Sequence, residues 1–135
     1  VQDLHEFYDR IIASIALGNT DDHLRNHGFL ADRGLWRLSP VFDVNPNPDP
    51  GRPRATSIMG ADAMPDEIDG LLAIANDYRL TQSEARERIR RITASLSGWR
   101  GQARANRVPE REITMMSESI EPRLEALTRA AHSED

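Results

Sequence analysis

The sequence contains no cysteine, no lysine and no long hydrophobic run. Without cysteine, the chain can form neither disulfides nor thiolate metal sites. All 17 basic residues are arginine, so the chain supplies no Schiff-base lysine and no lysine of the kind that holds nucleotide phosphates. A membrane-spanning helix needs roughly 20 consecutive apolar residues, and no segment approaches that length. We therefore expect a cytoplasmic protein that does not associate with membranes.

Length and charge narrow the class of protein further. The 135 residues suffice for one domain with a modest core, so we treat 1–135 as a single domain. The net charge of −5 gives no general attraction for nucleic acids, and we expect no direct nucleic-acid binding by this chain alone. A helical pattern starts almost directly after Val1, without an initiator methionine or a signal segment, so we expect a piece of a longer protein.

The first part of the chain predicts one helix followed by a β-hairpin. Apolar residues recur at helical spacing up to Gly18, a natural helix stop. Two short apolar segments, 28–31 and 35–38, flank a turn that ends with Gly34, which predicts a hairpin with this glycine at positive φ. Repeated prolines between 45 and 65 exclude a helix there, and we expect a short strand at 56–59. The apolar helix face consists of Leu4, Phe7, Tyr8, Ile11, Ile12, Ile15 and Ala16.

The second part of the chain, residues 66–131, predicts a helical bundle. Its first helix is expected over residues 66–78. Residues 81–84 read Thr-Gln-Ser-Glu, a capping box that predicts the start of a second helix. Gly98 and Gly101 weaken the far end of that helix.

A last helix is predicted from Pro109, which suits the first turn, and Pro122 predicts a kink within it. We assign Trp36, Met115 and Met116 to the core or to an interface.

A polar segment between the first helix and the hairpin carries the main functional signal. Residues 18–26 read GNTDDHLRN, which contains a D-x-H-x-x-N pattern, and Asp43 follows 17 positions after Asn26. Phosphoryl transfer from ATP requires an acceptor hydroxyl held in line and cations that bridge the phosphate oxygens. Asp21 can accept a hydrogen bond from that hydroxyl, while Asn26 and Asp43 offer the oxygen ligands that Mg²⁺ favours. We interpret residues 19–46 as a catalytic loop, a hairpin and a metal-binding segment.

Spacing distinguishes the two neighbouring aspartates. In protein kinases the catalytic Asp precedes the metal-binding Asn by five positions, which fits Asp21 and does not fit Asp22. We assign the base to Asp21, and Asp22 to solvent, to the turn or to a contact with Arg25. His23 is our candidate for cofactor binding through a hydrogen bond to a phosphate, and a structural histidine is an equal alternative.

Each element also has a plain explanation. Short polar residues after a glycine are typical of any helix end, and D-x-H-x-x-N alone occurs by chance in unrelated proteins. Asp43 taken alone is better explained as the cap of a turn before Asn45. His23 and His27 have the i, i+4 spacing of some zinc ligands, but the segment is loop-like and offers no obvious third ligand. The zinc alternative is therefore minor.

Residues 18–30, GNTDDHLRNHGFL, and residues 34–46, GLWRLSPVFDVNP, together resemble the carboxyl-terminal domain of HipA-type serine/threonine kinase toxins. The resemblance is specific over residues 4–46 and less distinctive beyond. It implies a mainly α fold, the helical carboxyl lobe of a phosphatidylinositol-kinase-like fold, with a short β-hairpin next to the catalytic loop. It also implies that Asp21 is the catalytic base and that Asn26 and Asp43 bind Mg²⁺.

The resemblance implies partners as well. Kinases of this type bind ATP with an amino-terminal lobe that this chain lacks, and the absence of lysine agrees with that gap. The best-known members phosphorylate a glutamyl-tRNA synthetase and pair with a helix-turn-helix antitoxin. We carry over a protein substrate and an antitoxin of that kind, but not the particular substrate. ATP and Mg²⁺ are expected to act in the full-length protein, and the fragment alone is expected to be inactive.

Two other functions stay open. The first is a non-catalytic helical protein-interaction module, in which Asp21 and Asp43 would lie far apart. The second is a metal-dependent phosphohydrolase, which would use the same ligands with water as the nucleophile.

Overall fold

The computed structural model describes residues 1–19, 27–41, 44, 46, 58 and 66–133. These residues form five α-helices and one β-hairpin, so the predicted fold class, mainly α with a short hairpin, is confirmed. In chain order the elements are α1 (Gln2–Leu17), β1 (Phe29–Asp32), β2 (Leu35–Leu38), α2 (Asp66–Ala73), α3 (Gln82–Leu96), α4 (Trp99–Ala105) and α5 (Glu110–His132).

Helix α1 is the central element and packs against α2, α3 and α5. Its predicted apolar face is confirmed in the middle of the helix, where Tyr8, Ile12 and Ile15 are fully buried. The Tyr8 hydroxyl donates a hydrogen bond of 2.8 Å to the carbonyl oxygen of Leu71 on α2. Burial raises the pKa of Tyr8 well above its ordinary value, so this hydroxyl remains a donor. Leu4, predicted on the same face, is 38% exposed because the first turn borders an open cleft.

The hairpin has the predicted position and turn. Strands β1 and β2 are antiparallel, with Phe29 opposite Leu38 and Asp32 opposite Leu35. Both turn residues have positive φ, 50° at Arg33 and 81° at Gly34, as a type I′ turn requires. A two-stranded hairpin is marginally stable alone, and its β1 residues are all exposed. It therefore depends on contacts at its open end.

The predicted bundle region is helical in the structure, although its division from the rest of the chain stays a prediction. The predicted capping box is confirmed: the backbone N–H of Glu84 donates to Thr81 Oγ1 at 3.2 Å, and the backbone N–H of Thr81 donates to Glu84 Oε2 at 2.8 Å. The hydrogen bond from the Thr81 backbone N–H to the carboxylate, followed by one from the Thr81 side chain, holds the pKa of Glu84 below its ordinary value. Pro122 lies inside an uninterrupted α5.

Several sequence-based expectations need correction. The helix expected over 66–78 ends at Ala73, and a short 3-10 helix follows at Ala75–Tyr78. Residues around Gly101 form a separate helix, α4, instead of a weakened end of α3. Pro109 precedes α5 as its N-cap residue. Of the strand expected at 56–59, Ile58 alone is a described residue.

Of the two places assigned to Trp36 and Met115, the core is excluded, since they are 71% and 49% exposed, and an interface stays a prediction. Met116 is partly buried against the core, as predicted.

The core lies where α1 meets α2, α3 and α5. The fully or nearly buried core residues are Tyr8, Ile12, Ile15, Ala16, Ile58, Ile68, Leu71, Ala75, Leu80, Ala85, Ile89, Ile120, Leu124, Leu127 and Ala131.

No helix among the described residues is both long enough and apolar enough to span a membrane.

Candidate functional site

The four predicted site residues, Asp21, His23, Asn26 and Asp43, lie outside the described residues. Their roles therefore stay predictions. Two site segments carry them, residues 20–26 and residues 42–43. The structure describes the chain on both sides of each segment. The candidate site can be built from those flanking residues and from the elements that hold them.

The end of α1 fixes where the first segment leaves the helix. Gly18 adopts a left-handed conformation with φ 65° and ends α1, as expected for a glycine at this position. The backbone N–H of Asn19 donates to the Ser14 carbonyl oxygen at 2.9 Å, and the Ser14 hydroxyl donates to the Asn19 carbonyl oxygen at 3.1 Å. Asn19 is only 4% exposed. Asn19, two positions before the D-x-H-x-x-N pattern, is thus held firmly against α1.

The other end of that segment returns beside α1. The rings of His27 and Phe7 lie 4.6 Å apart at an angle of 48°. The next residue, Gly28, accepts a 2.7 Å hydrogen bond from the backbone N–H of Ser39. This bond closes the hairpin at its base. It places the end of the first site segment, at His27 and Gly28, beside Ser39, from which the chain leads to the second.

Arg10 connects α1 to the base of the hairpin. It is 7% exposed, and its Nη2 donates to the carbonyl oxygen of Ser39 and, at 2.5 Å, to Glu6 Oε1. Ser39 is itself buried and opens the stretch that leads to Asp43. An arginine of α1 therefore fixes where that stretch starts.

The flanks of both predicted site segments line a single cavity of about 60 Å³. Asn19 and His27 border the first segment, and Val41 and Val44 border Asp43 and its neighbour. The wall behind them is formed by α1. The described residues that line it are Arg10, Ala13, Ser14, Asn19, His27, Val41 and Val44.

Two of the residues that line this cavity carry buried polar atoms without partners in the described part of the chain. These atoms are Arg10 Nε, Arg10 Nη1 and Asn19 Oδ1. Buried polar groups in native proteins are nearly always hydrogen-bonded. Two donors and one acceptor beside the cavity therefore stay unsatisfied by the described residues.

Metal binding depends on the predicted ligands. Among the described residues, no group of three or more His, Cys, Asp or Glu is placed to hold a metal ion. The predicted set of two carboxylates and one amide, Asp21, Asp43 and Asn26, consists of the oxygen donors that Mg²⁺ takes, with waters and phosphates completing the shell. The chemistry of this donor set fits Mg²⁺. Asn19, which lines the cavity of about 60 Å³, adds an amide oxygen that has no partner among the described residues.

Arg10 and Ser39 were missed by sequence reasoning. A signal was present, because Phe7, Arg10 and Ser14 share one helical face at i, i+3 and i+7, and an arginine on a face that is otherwise packed needs an acceptor. The acceptor is a backbone carbonyl, Ser39 O, which no sequence pattern reveals.

Comparison with known proteins gives one match. The profile of the family described as HipA-like C-terminal domain matches residues 1–99. No match was found among curated proteins or among solved structures. The matched residues include α1, both predicted site segments, the hairpin and α3.

Proposed function

The chain belongs to the family of HipA-like C-terminal domains, and on that premise we propose that it is the catalytic carboxyl-terminal half of an ATP-dependent serine/threonine protein kinase of the HipA toxin type. The proposal assigns the base to Asp21 and the metal ligands to Asn26 and Asp43. His23 is proposed to contact a phosphate of ATP.

One observation carries the proposal. The flanks of the two site segments, Asn19 and His27 for the first and Val41 and Val44 for the second, line the same cavity beside α1. Asn26 directly precedes His27 and Asp43 directly precedes Val44 in the sequence, so the residues next to both proposed metal ligands border one cavity. This supports the proposal that the two ligands serve one site.

The proposed chemistry divides the work among three side chains. Asp21 accepts the proton of the substrate serine or threonine hydroxyl as that oxygen attacks the γ-phosphate, and the bond between the γ-phosphorus and the β,γ-bridging oxygen breaks. Asn26 and Asp43 would hold Mg²⁺, which would neutralise charge on the phosphate oxygens. Asn19, two positions before Asp21, is bonded twice to Ser14, so the point at which the chain leaves α1 toward the proposed base is fixed.

The proposed partners follow from what this chain would need. An amino-terminal kinase lobe would bind ATP, because the chain has no lysine for the phosphates. The substrate would be a protein, and a helix-turn-helix antitoxin would be the regulatory partner. The 135-residue chain alone is proposed to be inactive.

The decisive test is Asp21→Ala in the full-length protein. Labelled ATP serves as phosphate donor, with casein and the kinase itself as acceptors, and we expect phosphate transfer to fall at least about 1,000-fold because the general base is lost. Thermal unfolding should change little, since a polar loop residue contributes little packing.

Asp32→Ala is the matched control. Asp32 is an exposed hairpin carboxylate that pairs with Arg37 at 3.6 Å, and its loss should leave transfer within about twofold of wild type. Full activity of Asp21→Ala would contradict the assignment. Release of phosphate from p-nitrophenyl phosphate by the 135-residue chain would instead favour the phosphohydrolase.

The non-catalytic interaction module is favoured by one feature, the exposed apolar side chains of the hairpin. Leu30 and Leu35, 57% and 64% exposed, lie on one face, and Trp36, 71% exposed, lies on the other. Exposed apolar side chains of this kind often mark protein contacts. A kinase lobe or an antitoxin would use such a surface as well. The transfer assay separates the two functions, because a module without catalysis transfers no phosphate in any context.

A further inference from the structure

We propose that two copies of this chain associate through a cleft between α1 and the hairpin, with the hairpin of each copy packed against the cleft of the other. This inference goes beyond the proposed kinase function and does not depend on it. It uses none of the residues proposed for catalysis or metal binding. The support is the match between two parts of one surface, all of them described residues.

The cleft, called the hairpin cleft below, has a volume of about 450 Å³. It is lined by the aromatic residues Phe7, Phe29 and Tyr78, and the rings of Phe7 and Tyr78 are nearly parallel with centroids 6.3 Å apart. Asp3 and Asp77 also line it, and no arginine of the described residues does. The hairpin cleft therefore offers apolar contact area together with two carboxylates.

One face of the hairpin continues from this cleft toward the turn. Directly opposed residues of an antiparallel pair share a face, and successive residues alternate between faces. Phe29 and Leu38, which are opposed and line the cleft, therefore lie on the same face as Ala31 and Trp36. Phe29 is 59% exposed and Trp36 is 71% exposed. An apolar surface that runs from a cleft along a hairpin is typical of a protein contact.

The turn of the hairpin carries the charge opposite to that of the cleft. Arg33, the first turn residue, is exposed. Arg37 pairs with Asp32 at 3.6 Å, whereas neither Arg33 nor Asp77 forms an ion pair with another described residue. One surface thus has an arginine at the turn and a carboxylate at the cleft, with the apolar face between them.

A two-fold axis brings these complementary parts together twice. In an isologous dimer the same patch of both subunits meets, so the turn end of one copy contacts the cleft end of the other. Trp36 of one copy then covers Phe29 and Tyr78 in the cleft of the other, and Arg33 faces Asp77 of the partner subunit. A second copy supplies the apolar face and the cation together, which is why we choose it as the occupant.

The first test is sedimentation velocity of the 135-residue chain from about 10 µM to about 1 mM, because association depends on concentration by mass action. We expect the average mass to rise from that of one chain toward that of two. The emission of Trp36 should shift to shorter wavelength over the same range, and Trp36→Phe, which leaves Trp99, should lose that shift. A chain that stays monomeric would overturn the proposal. Growth beyond two copies would also overturn it, because a two-fold contact closes.

The decisive experiment exchanges the two charges. Arg33→Asp alone and Asp77→Arg alone each place like charges at both contacts of a dimer, so we expect either variant to associate at least about tenfold more weakly. An equimolar mixture of the two variants restores two opposite pairs, and we expect association within about threefold of wild type. A change of fold within one chain cannot produce this recovery. Wild-type association of the single variants, or no recovery in the mixture, would contradict the proposal.

Trp36→Ala tests the apolar part of the contact. It removes the largest side chain of this face, so we expect association to weaken at least about tenfold. Leu35→Ala is the matched control, because Leu35 is 64% exposed and adjacent but lies on the opposite face. We expect its association to stay within about twofold of wild type. Equal weakening by both variants would show that the contact does not use the proposed face.

These variants should keep the fold, since the substituted side chains are all exposed. Arg33 has a φ of 50°, and aspartate is among the residues that tolerate such a backbone. Circular dichroism should therefore give the wild-type helix content for each variant. If one of them loses that signal, the concentration dependence of wild-type mass and Trp36 emission still decides whether a dimer forms.

Discussion

Two arginines are buried in the described part of the chain, and their surroundings differ. Arg123 on α5 meets Glu67 on α2, with Nη1 and Oε1 3.0 Å apart and the side chains 3% and 1% exposed. Arg10 on α1 meets Glu6, whose side chain is 47% exposed. In the first pair both charges are removed from water and balance each other. In the second, one partner remains in solvent.

The difference separates an ion pair inside the core from a partly solvated pair at its edge. Arg123 Nη1 also lies 3.4 Å from the Ile15 carbonyl oxygen, so this arginine links α5, α2 and α1 inside the core. Arg10 lies at the edge of the core and lines the cavity of about 60 Å³. A buried charge matched inside the fold stabilises one arrangement of helices. We expect the half-exposed partner of Arg10 to contribute less to stability.

The largest effect on stability is expected from breaking the Arg123 pair. Glu67→Leu would leave a buried guanidinium without its carboxylate, and the free energy of unfolding should fall by about 3–5 kcal/mol. Urea unfolding followed by circular dichroism measures this loss. If Glu67→Leu lowers the free energy of unfolding by less than about 1 kcal/mol, the Arg123 charge does not depend on Glu67 for its balance.

The double variant Glu67→Leu with Arg123→Met is the control for that prediction. Apolar replacement of both partners of a buried ion pair is often neutral or stabilising. We therefore expect the double variant to recover most of the stability that Glu67→Leu loses. Failure to recover would assign the loss to packing instead of charge.

A smaller loss of stability is expected from a change of packing on α2, the helix that carries Glu67, the partner of Arg123. A Cβ on Gly70 of α2 would lie 2.5 Å from the Ile58 carbonyl oxygen, so Gly70→Ala must push a buried backbone aside and should cost about 1–3 kcal/mol. The matched control is Gly101→Ala in α4, where no heavy atom lies within 4 Å. Because alanine favours helix, that control should gain about 0.5–1 kcal/mol. If both variants change the unfolding temperature equally, the backbone at Ile58 moves aside without a measurable cost.

The smallest effect is expected on the Arg10 side. Glu6→Gln removes a half-exposed carboxylate, and we expect the free energy of unfolding to change by less than about 1 kcal/mol, as for surface pairs. Glu125→Gln, in an exposed pair with Arg129 at 3.2 Å, is the control and should behave alike. A loss of several kcal/mol for Glu6→Gln alone in urea unfolding would make the two arginine sites equivalent and remove the contrast between them.

Local chemistry accounts for the parts of the fold that the sequence predicted well. Gly18 ends α1 at the predicted place because left-handed backbone favours glycine. Thr81 and Glu84 form the predicted capping box because both partners lie within one turn. The type I′ turn at Gly34 follows the same logic. Each of these features is decided by neighbours in sequence.

The features that sequence did not predict depend on distant or unusual backbone. Arg79 adopts a left-handed φ of 58° after the 3-10 helix, and Arg107 one of 62° after α4. A non-glycine residue gives no warning of such a conformation. The pairing of Arg123 with Glu67 joins residues 56 positions apart. No local pattern reveals such a partner.

The candidate site also combines local patterns, which the sequence reveals, with contacts between distant residues, which it does not. Asp21, Asn26 and Asp43 follow from motif spacing and family resemblance, and their roles stay predictions. That one cavity borders both site segments depends on the contact of Arg10 on α1 with Ser39, and on the bond from Ser39 to Gly28 across the base of the hairpin. The motif indicates which chemistry to look for, and the fold shows which elements flank it.

The position of α5 has a consequence for the limits of this domain. The family profile ends at residue 99, whereas α5 starts at Glu110 and still contributes Ile120, Leu124 and Leu127 to the core. It also carries the cation that neutralises Glu67. In this chain, the piece that the family profile recognises therefore lacks a helix that completes its core, and we expect residues 1–99 alone to be less stable than the whole chain.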